Sequence, residues 1–381
     1  MIALFLVAAA VLGWTWVGYP LAAWLRARFL ARPVAARPGF APAVSVIIVA
    51  RDEEKALPAK LQSLQRGGVP AERLEILVVD DGSRDATALV ASAAGARLIA
   101  LSDARGKAQA LNSAARRARN EILVFTDARQ PLVDGALARL VAPLADPKVG
   151  AVGGEIENAA SGAGAIYRRL DDALRRWEAA SGSAVGVAGA FWACRRSLFP
   201  RMPAGILLDD LYAPLAVARR RARVVIARDA RVVERAAAVE PAVERRRRVR
   251  TLAGNFQLVA RAPWTLAPIA NPLWFAFWSH KLLRLLGPAA LAGALVALGA
   301  LAPRGGTWAL LAVAAAAGLG LAALGARAGA LGRLARSFIA AQGLVVVALV
   351  HALRGTTPWR TVAAGTPRAL ELGSAEVSHG L

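Results

Sequence analysis

Residues 75–90 read EILVVDDGSRDATALV. An apolar run ends in two adjacent carboxylates, Asp80 and Asp81, followed by Gly82 and Ser83. A continuous run of this kind fits a strand covered on both faces, as in a parallel sheet. Neighbouring carboxylates at its tip repel each other and are costly to desolvate. Their position therefore calls for a chemical reason.

The same pattern recurs on either side. AVSVIIVA (43–50) reads as a first strand, LEILVV (74–79) as a second, ARLIAL (96–101) as a third and EILVFT (121–126) as a fourth. Between them Leu57, Leu61 and Leu64 keep helical spacing. Ser83 or Asp85 suits the N-cap of a helix over 86–94, and GKAQALNSAARRA (106–118) is helical in pattern. Alternating strands and helices imply right-handed crossovers and a mostly parallel sheet, so residues 42–262 are expected to form an α/β domain.

Ligands of open parallel sheets bind beyond the carboxyl ends of the strands. Asp52 follows the first strand, Asp80 and Asp81 end the second, and Asp127 ends the fourth. Helix capping explains any one of these aspartates alone. It explains the adjacent pair less well, and the convergence of three strands least. Carboxylates gathered there accept hydrogen bonds from a nucleoside or hold a hard cation that bridges phosphates. Neither G-x-x-x-x-G-K-[ST] nor a G-x-G-x-x-G after the first strand is present, which argues against P-loop and dinucleotide sites.

Both ends of the chain read as membrane. The 381 residues are 56 % hydrophobic, with mean hydropathy +0.44, and carry a net charge of +22. Residues 1–25 contain no charge and form about 37 Å of helix at ~1.5 Å per residue, enough to cross a bilayer core. The length of the run and the lack of a basic leader favour a retained anchor over a cleaved signal peptide. Arg26, Arg28, Arg32 and Arg37 follow, which places the N-terminus outside and the next domain in the cytoplasm. Further apolar runs lie at 282–303, 305–326 and 337–353, so about three C-terminal helices are expected within 281–353. Residues 263–280 are broken by prolines and rich in tryptophan, as an interfacial segment would be. The tail, 354–381, has no assigned side. Cys194 is the single cysteine, which excludes an internal disulfide and a cysteine metal cluster.

The stretches VSVIIVARDEE, EILVVDDGSRDAT, GKAQALN, VFTDAR, VGGEIE, GILLDDLYAPLAVA and RRVRTLAGNFQ resemble, in order, the family 2 glycosyltransferases of GT-A fold, which include cellulose, hyaluronan and poly-N-acetylglucosamine synthases. The resemblance covers residues 43–257. It implies inverting transfer of a sugar from a nucleotide-diphosphate donor. It implies donor contacts at Asp52 and Asp81, with Asp80 the weaker of its pair, and at Lys107. Asp127 matches the first carboxylate of the metal-binding D-x-D motif, but Arg129 stands at the third position. That departure puts dependence on Mg²⁺ or Mn²⁺ in question, and Arg129 is expected to supply part of the missing positive charge. Asp210 matches the catalytic base, with Asp209 orienting it or the acceptor. Arg247 and Arg250 match positions that stabilise the departing diphosphate, in place of the Q-x-x-R-W of processive enzymes. Phe191 and Trp192 lie where the family lines the acceptor path, although core packing suits them equally. RRRAR (219–223) reads as surface charge, and His280, His351 and His379 have no ligand spacing.

The resemblance thus implies a multi-pass transferase of the bacterial inner membrane, its catalytic domain cytoplasmic. Its expected partners are a nucleotide-sugar donor, a lipid-linked or polysaccharide acceptor of the cell envelope, and membrane lipids. Two other classes compete. The broken D-x-D motif favours a non-catalytic, transferase-like subunit, against which stand the retained Asp52, Asp81, Asp127 and Asp210. The basic charge alone suggests nucleic acid, but many arginines flank apolar spans and no recognition motif appears.

Overall fold

The computed structural model describes residues 1–35, 40–101, 106–158, 163–234 and 241–355. Arg37, Arg360, Arg368, His379 and nearly all of the tail lie outside them.

Seven strands among the described residues form one sheet: β1 (Val44–Ala50), β2 (Leu74–Asp80), β3 (Arg97–Ala100), β4 (Ile122–Asp127), β5 (Val149–Asn158), β6 (Phe191–Arg195) and β7 (Arg223–Glu234). Their order is β3-β2-β1-β4-β6-β5-β7. Strands β3, β2, β1 and β4 are mutually parallel, β6 runs antiparallel to both its neighbours, and β5 pairs parallel with β7. This is the expected mostly parallel α/β sheet, with strand ends within a residue or two of those read from the sequence.

The register explains the site. Ala50 pairs with Asp80, and Val49 pairs with Asp127, so the carboxyl ends of β1, β2 and β4 stop level. Both faces of this half are covered. Ile47, Leu77, Val79, Leu123 and Phe125 join one core layer, and Val46, Ile48, Val78 and Val124 join the other. Each such side chain stabilises the fold by about 1.5–3 kcal/mol relative to exposure. The strands are rigid for that reason, and the chain beyond their ends is held by a fixed frame.

The apolar N-terminal run lies in one helix, Ile2–Phe29, with a π turn at Trp14–Gly18. Near the C-terminus, Gly287–Arg304 and Gly306–Leu353 are also long and apolar enough to cross a membrane. The second of these comprises two helices, Gly306–Leu324 and Gly329–Leu353. Residues 263–285 make only short helical turns, and Ile269 is 93 % exposed.

A buried polar network joins these apolar elements to the α/β domain. His280, wholly buried, lies 2.8 Å by Nδ1 from Glu178 and 2.8 Å by Nε2 from Asp171, both on the helix Ala163–Ser181. Tyr19 of the N-terminal helix donates to Glu178 at 2.7 Å. Lys281 and Arg284 reach Asp171 at 3.3 and 3.0 Å, and Arg284 also bonds the Tyr167 hydroxyl. Nothing near His280 in the chain marks it out, because its carboxylate partners lie about a hundred residues away. Burial disfavours the charge on Asp171, but Lys281, His280 and Arg175 outweigh it and hold its carboxyl well below the usual range.

Removing one member of such a network strands buried charge, at a cost of about 3–5 kcal/mol. His280→Leu is therefore expected to lower the melting temperature in detergent by several degrees. An unchanged melting temperature would show that the network does not hold the junction.

Candidate active site

Beyond the sheet edge, each aspartate has a different local setting. Asp80 is buried and turned into its own loop, where Ser83 donates to it through its backbone N–H, at 2.9 Å, and through its hydroxyl. It shapes the turn, and its neighbour Asp81 is buried as well, 6 % exposed. Asp81 accepts from the backbone N–H of Gly106 at 3.1 Å, at the start of the helix Lys107–Arg117. Gly106 has φ +81°, a left-handed conformation that a side chain would strain. Asp52 also has a positive φ, 54°, and its carboxylate accepts from the N–H of Arg84 at 2.8 Å. The loops after β1 and β2 thus brace each other. Asp85, the expected cap, accepts from the N–H groups of Thr87 and Glu54.

Lys107 is the centre of the cluster. Its ammonium lies 3.3 Å from Asp127 at the end of β4 and 3.2 Å from Asp209 at the start of the helix Asp209–Arg219. Burial works against its charge, but Asp127, Asp209 and Asp210 together hold the lysine above its usual value, with Arg250 opposing them. Asp210 is partly exposed, and no described residue donates a hydrogen bond to its carboxylate. Burial, reinforced by Asp209, pushes it up to about 6, against the pull of Lys107, Arg175 and Lys281. An acid so placed is ionised at neutral pH but only weakly stabilised as an anion, as suits a general base.

Glycine lets the chain approach Asp210. A Cβ on Gly189 would stand 2.9 Å from Asp210 Oδ2, and the N–H of Val187 donates to the Asp210 carbonyl at 3.0 Å. The segment GVAG (186–189) therefore lies directly on Asp210. The helix Pro241–Arg261 supports a second loop, the one that leads into Asp209: Gln257 accepts from Leu207 N–H and donates to the Gly205 carbonyl, both at 2.9 Å. Leu208 packs on Gly254, where a Cβ would come within 2.6 Å of it.

The expectation for Phe191 and Trp192 is corrected. Phe191 and Trp192 are both 0 % exposed. They lie on β6 inside the core, with Trp192 stacked on Phe125 at 4.3 Å, so neither offers a face to an acceptor. Arg129 pairs through Nε with Glu53 Oε1 at 2.6 Å, and 41 % of its side chain stays exposed. Arg247 is exposed and pairs with Glu234 at 3.3 Å, while Arg250, half-buried, lies within electrostatic reach of Lys107. Lys60 was not anticipated. It is fully buried, donates to Thr126 at 2.6 Å and to the Gln130 carbonyl, and burial lowers it to about 7 against the pull of Asp127. Its spacing puts it on the apolar face of its helix with Leu57, Leu61 and Leu64, a signal that its charge masked.

Among the described residues no group of three His, Cys, Asp or Glu side chains is arranged to hold a metal ion. Asp127, at the end of β4, keeps 43 % of its side chain exposed beside Lys107. A hard cation bound through one carboxylate and the substrate's own phosphates fits that donor set, whereas one held by the protein alone does not.

The profile of the family "Glycosyl transferase family 2" matches residues 45–202. The mannosyltransferase PcManGT of Pyrobaculum calidifontis, solved with GDP-Man and Mn²⁺, superposes with a TM-score of 0.72 at 28 % identity. The likeness covers 93 % of this chain and 100 % of that one, and so extends well beyond the α/β domain. An N-acetylglucosaminyltransferase of Rhizobium meliloti is 31 % identical over 148 residues, 37 % of this chain and 34 % of that protein. A 4,4'-diaponeurosporenoate glycosyltransferase of Staphylococcus haemolyticus is 38 % identical over 91 residues, 22 % of this chain and 24 % of that protein. The chain thus spans about a third or less of the length of these two curated relatives.

Gly189→Ala must displace Asp210, because no real Cβ tolerates a 2.9 Å contact. The substitution is expected to lower turnover at least tenfold while the melting temperature stays near that of the wild type. Full turnover would show that the Asp210 position is not critical.

Proposed function

We propose that this chain, whose α/β domain belongs to the family 2 glycosyltransferases, transfers a sugar with inversion from a nucleotide-diphosphate donor to a lipid-linked or glycan acceptor beside a membrane. The observation that carries the reading is the junction of two half-sites through Lys107. Asp52, Asp81 and Asp127 stand on the donor side, at the level ends of three strands. Asp209 and Asp210 stand on the other, on a separate helix.

In this reading the nucleoside lies over the loops of Asp52 and Asp81, and its diphosphate lies beside Lys107 and Arg250. The acceptor hydroxyl is held against Asp210. Its oxygen attacks the anomeric carbon, its proton passes to Asp210, and the bond to the diphosphate breaks with the electron pair leaving on phosphate. A single displacement inverts the anomeric centre. Lys107 and Arg250 balance charge as it develops on the leaving group. A divalent cation, held by Asp127 and the donor's phosphates, would supply further neutralisation there. The likeness to a mannosyltransferase bound to GDP-Man makes GDP-mannose the first donor to try. The apolar helices support an acceptor near the bilayer, because they would tether the site beside it. By the bias of Lys and Arg toward the cytoplasmic side, the catalytic domain faces the cytoplasm.

The test is nucleotide release by the purified chain in detergent from UDP-, GDP- and dTDP-sugars, with membrane lipid extract as acceptor. Release from one donor is expected. Asp210→Asn should reduce it at least 100-fold, within the range of general-base contributions. Protonation disables the base, so kcat/KM of the wild type should fall as pH drops through about 6. Release undiminished in Asp210→Asn would refute the assignment.

A further inference from the structure

A cavity of about 320 Å³ opens where the N-terminal helix meets the α/β domain. Tyr19 and Glu178 are part of its wall, and four arginines, Arg26, Arg32, Arg221 and Arg223, line it. Glu178 is the sole carboxylate of this lining, and it is already engaged by Tyr19, His280 and the N–H of Val185. Arg223 is engaged as well, donating to the backbone carbonyls of Arg32, Pro33, Ala179 and Gly182. Arg26, Arg32 and Arg221 are different. Among the described residues, none of their side chains donates a hydrogen bond or pairs with a carboxylate.

All three are exposed at the cavity rim, so solvent screens much of their repulsion, and an anion between them removes the rest. Guanidinium groups bind phosphate oxygens in pairs, with a geometry that a lysine does not match. Arg221 also sits at φ 63°, just past the helix Asp209–Arg219, where glycine would be unstrained. The position of the cavity along the chain identifies the kind of anion. Arg26 is the first charge after 25 uncharged residues, so it stands at headgroup depth if the helix Ile2–Phe29 spans a bilayer. Phe29 and Phe275, both exposed, provide apolar surface nearby.

We propose that this cavity binds the phosphate headgroup of an anionic membrane lipid, seated among Arg26, Arg32 and Arg221. The proposal rests on the reading of Ile2–Phe29 as a membrane helix, but not on the transferase reading. The site is separate from the donor site: Asp210 lies at the start of the helix Asp209–Arg219 and the cavity at its far end, ~15 Å away at 1.5 Å per residue.

The test uses the full chain in phosphatidylcholine nanodiscs containing a rising fraction of phosphatidylglycerol, with the lipid retained on extraction measured by native mass spectrometry. Wild type is expected to retain phosphatidylglycerol over phosphatidylcholine. The triple variant Arg26→Gln, Arg32→Gln, Arg221→Gln should need at least ten times more phosphatidylglycerol for equal retention. The control Arg304→Gln, Arg327→Gln, which alters arginines beside other apolar helices, should match wild type. Inorganic phosphate at millimolar concentration separates the two sources of the ligand. Retention that phosphate leaves unchanged supports a lipid headgroup. Loss of the lipid to free phosphate would overturn the lipid assignment in favour of a soluble phosphate. Equal retention by wild type and the triple variant would overturn the site itself. If the triple variant does not fold, dicarbonyl labelling of wild type decides. Phosphatidylglycerol should protect Arg26, Arg32 and Arg221, and equal labelling in both lipids would reject the proposal.

Discussion

One ammonium group resolves the electrostatic problem set by the sheet edge. Asp127 and Asp209 come from distant parts of the chain and would repel across the pocket. Lys107 lies between them, 3.3 Å from one and 3.2 Å from the other. The helix that bears it begins at the Gly106 turn, which is itself tied to Asp81. Lys107 therefore links the loop after β2, the end of β4 and the helix that presents Asp210. With Lys107 in place, Asp210 stays near 6 despite its burial, and the ammonium stays charged between the carboxylates.

A second constraint sets where this pocket stands relative to the apolar helices. The helix Ala163–Ser181 carries Asp171 and Glu178, and His280 bridges the two. Tyr19 brings the N-terminal helix to the same point. Lys281 and Arg175 belong to this network and also act on the Asp210 charge. The junction with the apolar helices and the electrostatics of Asp210 thus share residues.

The sequence revealed much of the frame because parallel strands buried on both faces leave long apolar runs, and β1, β2, β3 and β4 stand almost where those runs predict. The convergence of Asp52, Asp81 and Asp127 was legible for the same reason: parallel strands all deliver their carboxyl ends to one edge. Pairing was not legible. Nothing local says that Arg129 turns to Glu53, 76 residues away, or that the Lys60 ammonium ends on Thr126 of β4. Phe191 and Trp192 looked equally suited to an acceptor and to a core, and burial decided for the core. His280 was invisible because its meaning lies in residues remote in sequence. Gly189 was visible only as one glycine among 34, until its distance to Asp210 was known.

The most direct test of this account is calorimetric titration of GDP and UDP into the purified chain, comparing wild type with Lys107→Met. If the ammonium organises the donor edge, wild type binds one of the nucleotides and the methionine variant binds it at least tenfold more weakly, with its fold intact by melting. Equal affinity in the two proteins would mean that Lys107 does not link the half-sites, and the arrangement proposed for the donor would be wrong.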